Sequence, residues 1–135
     1  MADSFSLDLS GSPAEIQRVS TALREFVDGH PLPAQTRFAV LLALEEAVSH
    51  AFALGSDAPQ DLTVHVEVTL APLELVLRVE DTGPAFDPVR AAAPEQARGL
   101  GLHLTRTLMD RLDYSHEGGR NILVMRKRRA AGAAT

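Results

Sequence analysis

The residue pattern predicts an α+β domain: a two-layer sandwich in which a mainly antiparallel sheet carries its helices on one face. Three observations lead there. Apolar and polar residues alternate with period two in the runs that begin at Phe5, Leu62 and Leu73. The second and third of these runs are joined by the short turn Ala71-Pro72, which suits antiparallel neighbours and leaves no room for a parallel crossover. Apolar residues at helical spacing fill the segments between the first and second runs and after the third, so the expected order is β-α-α-β-β-α-β-β.

Phe5, Leu7 and Leu9 alternate with Ser6, Asp8 and Ser10, giving a first strand with one buried face. Ser12-Pro13-Ala14-Glu15 then opens a helix, with Ser12 as cap, Pro13 at the first helical position and Glu15 closing a capping box. Ile16, Val19, Leu23 and Phe26 form its core face, and Gly29-His30-Pro31-Leu32-Pro33 ends it. A second helix is expected over about Ala34 to Ala53, with Phe38, Leu41, Val48 and Phe52 as its stripe, flanked by Leu42 and Leu44. The hairpin Leu62–Val68 and Leu73–Val79 follows and delivers Asp81 to a strand end. Leu100, Leu104, Leu108 and Leu112 recur every four residues, widened by Leu102 and Met109, which predicts a third helix. Tyr114-Ser115-His116 starts another strand, Glu117-Gly118-Gly119-Arg120 turns, and Asn121 to Met125 closes the sheet.

Composition bounds the function. The 135 residues suit one domain, expected over 1–129, with a flexible C-terminal tail over 130–135. Hydrophobic residues at 45% and charged residues at 23% fit a globular protein. No apolar run approaches the length of a membrane span, and the N-terminus shows no secretory pattern. The absence of cysteine excludes disulfides and thiolate sites and agrees with the cytoplasm. A net charge of −5 argues against general nucleic-acid binding, and the basic run Arg126-Lys127-Arg128-Arg129 reads as a solvated end.

Two places carry chemistry. Glu45 and Glu46 interrupt the apolar face of the second helix, with His50 one turn beyond Glu46. A carboxylate beside a buried face needs a partner, water or a ligand, although both glutamates also fit as edge-of-core residues. The stretch Glu80–Leu102 puts an acidic residue at a strand end, then a loop, then Gly99-Leu100-Gly101-Leu102 at a helix start. That combination can hold a base by a carboxylate and polyphosphate by backbone amides. Asp-Thr-Gly-Pro is equally good turn chemistry, and glycine before a helix can be punctuation.

Taken together, the helix with paired glutamates, Val79-Glu80-Asp81-Thr82-Gly83-Pro84-Ala85-Phe86-Asp87-Pro88 and the segment from Arg98 to Arg126, with Arg98-Gly99-Leu100-Gly101-Leu102-His103-Leu104-Thr105-Arg106, Leu108-Met109-Asp110 and Tyr114-Ser115-His116-Glu117-Gly118-Gly119-Arg120-Asn121, make the chain resemble a known family. It is similar to the histidine-kinase-like ATPase superfamily, whose domain is the Bergerat fold. More narrowly it resembles the small bacterial anti-sigma factor/serine-protein kinase branch, along nearly the whole chain. The resemblance implies ATP as ligand. Asp81 would accept from the adenine amino group, Gly83 would let the backbone pass beneath the base, and Pro84 to Arg98 would form a lid. Gly99, Leu100, Gly101 and Leu102 would meet the phosphates through their amides, with Arg98 adding a contact.

In this family the second helix carries Glu-x-x-x-Asn, the glutamate as base and the asparagine as Mg²⁺ ligand. Here the frame reads Glu46-Ala47-Val48-Ser49-His50, so Glu46 takes the catalytic position and His50 the metal position. A one-residue shift would pair Glu45 with Ser49 instead but breaks the fit through Gly55. Imidazole is a poor ligand for Mg²⁺, which prefers oxygen. A further departure is Ala85, where the family usually has glycine. His30, His65, His103 and His116 lack metal-ligand spacing. Two functions follow from the resemblance. One is an ATP-dependent serine kinase of a partner-switching system, acting on a small antagonist (anti-anti-sigma) protein and thereby on a sigma factor or other target, with a homodimer as a further expectation. The other is a binding-only regulator of the same fold that sequesters a sigma factor or antagonist.

Overall fold

A computed structural model describes residues 3–10, 14–54, 62–83 and 106–129. The described elements are β1 (Ser4–Leu9), α1 (Ala14–Asp28), α2 (Ala34–Leu54), β2 (Val64–Leu70), β3 (Glu74–Asp81), β4 (Arg111–Glu117) and β5 (Arg120–Arg128). The strands form a five-stranded sheet in the order β1-β2-β3-β5-β4, with every neighbouring pair antiparallel. The sheet buries Val64, Val66 and Val68 of β2, Leu75, Leu77 and Val79 of β3, and Leu123 and Met125 of β5 against α1 and α2. Burying each such side chain stabilises the fold by about 1.5–3 kcal/mol. This is the expected two-layer α+β sandwich.

Register follows from the alternation. Val66 stands opposite Val79 and Val68 opposite Leu77, so a slip of one residue would turn both strands' valines and leucines to water. Helix α1 buries Val19, Ser20, Leu23 and Val27, with Ile16 and Phe26 packed at the margin. At its start the Glu15 carboxylate accepts from the Ser10 amide at 3.2 Å, reaching back beyond the position of a capping box. Ser12 and Pro13 lie outside the described residues.

Two expectations need correction. On α2 the buried stripe is Ala39/Val40, Ala43/Leu44, Ala47/Val48 and Ala51, whereas Phe38 is 61% exposed and Leu41 lies at the edge. Small alanines let the helix sit close to its neighbours, so the stripe is rotated away from the largest side chains. The third helix does not reach Leu112: residues 106–108 are helical, the chain bends, and β4 begins at Arg111. Asp110 enforces the bend. Its amide donates to the Arg126 carbonyl at 2.9 Å and its carboxylate accepts from the Arg128 amide at 2.7 Å, which pulls the chain into the sheet. Leu112 and Tyr114 then alternate inward as strand residues.

The basic run is built into the structure rather than solvated as a frayed end. Arg126 pairs with Glu74 at 2.6 Å, and Lys127 donates to the Leu108 carbonyl at 2.8 Å. The Arg129 guanidinium donates to the Ala71 carbonyl at 3.2 Å. The hairpin between β4 and β5 turns on Gly118 and Gly119, with φ of 59° and 78°. Two positive φ values are what a tight turn matching the strand twist needs.

Candidate nucleotide-binding site

The inward face of the sheet is apolar until its last row, where it becomes polar. Asp81, the final residue of β3, stands opposite Asn121 of β5, and both are buried. Each shares the inward parity of the apolar residues beside it, Val79 and Leu123. Asp81 Oδ1 accepts from the Gly83 amide at 2.8 Å and from Asn121 Nδ2 at 3.0 Å. Asn121 Nδ2 also donates to the Gly83 carbonyl at 3.2 Å. The Tyr114 hydroxyl donates to Asn121 Oδ1. Just beyond Asp81, the Thr82 amide donates to the Thr63 carbonyl at 3.2 Å and the Thr63 amide to Thr82 Oγ1 at 3.0 Å. The strand end is therefore clamped to both neighbours.

One carboxylate oxygen is thus occupied twice, while among the described residues Asp81 Oδ2 meets no donor. A carboxylate at 8% exposure with one oxygen unmet by the described residues can accept from a ligand's N–H. Gly83 bends back on Asp81 through its own amide, so backbone without a side chain lies beside that acceptor. Arg98, Gly99, Leu100, Gly101, Leu102 and Ala85 lie outside the described residues, as does the whole stretch 84–105 with the expected lid and helix start.

The paired glutamates separate into two environments. Glu45 turns to α1, where Ser20 Oγ donates to its carboxylate at 2.5 Å. Glu46 is half-buried, one turn before the half-buried His50. His50 Nε2 is shut off from solvent, so that nitrogen is not presented to a hydrated cation. A magnesium ion prefers oxygen ligands, and His50 does not fit the ligand role that the resemblance gives its position. Among the described residues no group of three His, Asp or Glu is placed to hold a metal ion. His30 and His65 have structural partners: His30 Nδ1 lies 2.9 Å from the Phe26 carbonyl, and His65 Nδ1 lies 2.6 Å from Asp8.

Sequence reasoning missed Asn121 and Tyr114. The available signal was parity. Asn121, Leu123 and Met125 share one face of β5, and a polar residue breaking an apolar face marks a site or a partner.

Comparison with known proteins agrees with this fold. The histidine kinase-like ATPase domain family matches residues 9–127. The serine/threonine-protein kinase BtrW of Bordetella bronchiseptica is 35% identical over 104 residues, covering 68% of this chain and 70% of BtrW. Among solved structures, the RsbU and RsbW domains of Rv1364c from Mycobacterium tuberculosis superpose with a TM-score of 0.72 at 17% identity, over 94% of this chain and 32% of that one. The histidine kinase domain of the Erythrobacter litoralis EL346 blue-light activated kinase gives 0.60 at 17% identity, over 86% of this chain and 60% of that one. The chain thus spans about a third and three fifths of these two structures, which share its fold. The chain belongs to the histidine kinase-like ATPase family, in its small serine-protein kinase branch. Its sheet and helices are a Bergerat-type ATP-binding fold.

Proposed function

We propose that this protein is an ATP-dependent serine kinase of a partner-switching system, with a small antagonist protein of the anti-anti-sigma type as its substrate. The observation that carries the reading is Asp81, held through Oδ1 at a clamped strand end with Oδ2 left for a ligand. The adenine amino group would donate to Oδ2, and Gly83 would lie beside the base. Gly99, Leu100, Gly101 and Leu102 would meet the phosphates, with Arg98 beside them. Glu46 would accept the proton of the substrate serine as its Oγ bonds to the γ-phosphorus. The bond from that phosphorus to the β–γ bridging oxygen breaks, and ADP leaves. The separate engagement of Glu45 with Ser20 supports Glu46 for that role over its neighbour. No step is assigned to a metal held by His50.

In such a system the unphosphorylated antagonist would release a bound sigma factor or other target, and the work would take place in the cytoplasm. A homodimer is part of the same proposal. His50 favours a second reading, a binding-only regulator that sequesters its partner with little turnover, because its buried Nε2 is a poor substitute for an oxygen ligand. Calorimetry with ATP, with and without Mg²⁺, is the primary test, alongside transfer of labelled phosphate to a purified antagonist. The kinase reading expects binding and transfer. Absence of nucleotide binding would overturn it, and binding without transfer that His50→Asn restores would establish the second reading.

A further inference from the structure

The polar row at the end of the sheet includes Tyr114, whose hydroxyl is engaged with Asn121. Tyr114 lies on β4, diagonally across β5 from Asp81, and its hydroxyl meets Asn121 Oδ1. The other end of the same amide donates to Asp81 Oδ1 at 3.0 Å and to the Gly83 carbonyl at 3.2 Å. Asn121 is 5% exposed, so its amide works where hydrogen bonds are strong and a lost partner is costly. With the carboxylate and the carbonyl both demanding a donor, Nδ2 must face Asp81 and Oδ1 must face Tyr114. Donation from the phenol to Oδ1 withdraws charge from that oxygen and makes Nδ2 a better donor.

We infer that Tyr114 is a positioning residue for base selection, acting through Asn121 to keep the Asp81 carboxylate aimed as an acceptor of the adenine amino group. This rests on the adenine reading of Asp81. The chemistry of the two purines makes aim matter. Adenine offers an N–H at its 6-position, whereas guanine offers a carbonyl oxygen that a fixed carboxylate repels. A carboxylate loosened from Asn121 can turn aside, which weakens the bond to adenine and relaxes the rejection of guanine.

Tyr114→Phe removes the hydroxyl and keeps the ring. The expected result is an ATP affinity about tenfold lower with GTP affinity no lower, or raised as the repulsion of guanine eases, so that the ATP/GTP ratio falls at least about tenfold. In the nucleotide-free protein the Asn121 side-chain amide protons, followed by ¹H–¹⁵N NMR, should exchange faster in the variant. A double-mutant cycle guards against a general loss of structure: in an Asn121→Ser background, Tyr114→Phe should leave the ATP/GTP ratio where it was. Unchanged selectivity in Tyr114→Phe would overturn the inference, as would a parallel fall in ATP and GTP affinity. So would an equal effect of Tyr114→Phe in both backgrounds. If the unsubstituted protein binds no ATP, the adenine reading itself falls and base selection with it. The amide exchange rates distinguish that failure, because they test the link from Tyr114 through Asn121 without nucleotide.

Discussion

At the scale of single residues, Asp81 carries the proposed function. A carboxylate at 8% exposure is tolerable because two donors converge on Oδ1, and among the described residues Oδ2 is left without a donor, as the proposed adenine contact requires. Asp81→Asn replaces a charged acceptor by a neutral amide, so ATP affinity should fall about 10- to 100-fold in calorimetry. Glu46→Gln makes the complementary separation. Phosphate transfer should drop at least about 100-fold while ATP affinity holds, because the change removes the proposed catalytic base and spares the groups proposed to hold adenine and phosphate. If Glu46→Gln transfers phosphate at the original rate, the base is another residue. Asp81 stood out in the sequence because an acidic residue ended an apolar alternation. Its partner Asn121 did not, since the hydrogen bond joins positions forty residues apart.

Elements set where these residues stand. The bond from Ser20 to Glu45 ties α1 to α2 and takes one of two adjacent glutamates into the helix interface. Ser20→Ala leaves that half-buried carboxylate without its hydroxyl and should cost about 1–2 kcal/mol in urea unfolding, with ATP affinity unchanged. The β4–β5 turn brings Tyr114 and Asn121 together. At Gly119 a φ of 78° with no atom within 4 Å of an added Cβ means that the cost of Gly119→Ala is purely one of backbone conformation. About 1–2 kcal/mol is expected. The elements also show where periodicity misleads. A spacing of four carried the third helix through Leu112, yet Leu112 and Tyr114 equally satisfy a spacing of two, and the Asp110 bonds to β5 decide for the strand. On α2 the largest apolar residues suggested the buried stripe, but close packing selected the alanine side and left Phe38 outside.

For the whole molecule, the proposed site would link ligand to fold. It joins β3, β4 and β5 at one end of the sheet and the clamp at Thr82 adds the residue before β2, so nucleotide bound there should stabilise the domain cooperatively. At an ATP concentration 100 times its Kd the gain is about 2.7 kcal/mol. For a domain of this size that raises Tm by about 5–10 °C in a thermal melt. At the same ATP concentration the gain should fall to about 0.4–1.4 kcal/mol in Asp81→Asn, with a correspondingly smaller shift in Tm. A site that tied together only a loop would give a smaller response.

By itself the sequence determined the layers, the order of the described strands and of the first two helices, and the position of Asp81, because alternation, helical spacing and turn residues are local properties that side-chain burial enforces along the chain. Its motifs were also enough to identify the family. Tertiary structure decided what local patterns leave degenerate: which face of α2 is buried, which of two adjacent glutamates is taken up by α1, and where the third helix gives way to β4. It also decided that Asn121 and Tyr114 belong with Asp81. Those outcomes depend on contacts between distant segments, whose geometry exists only once the sheet has closed.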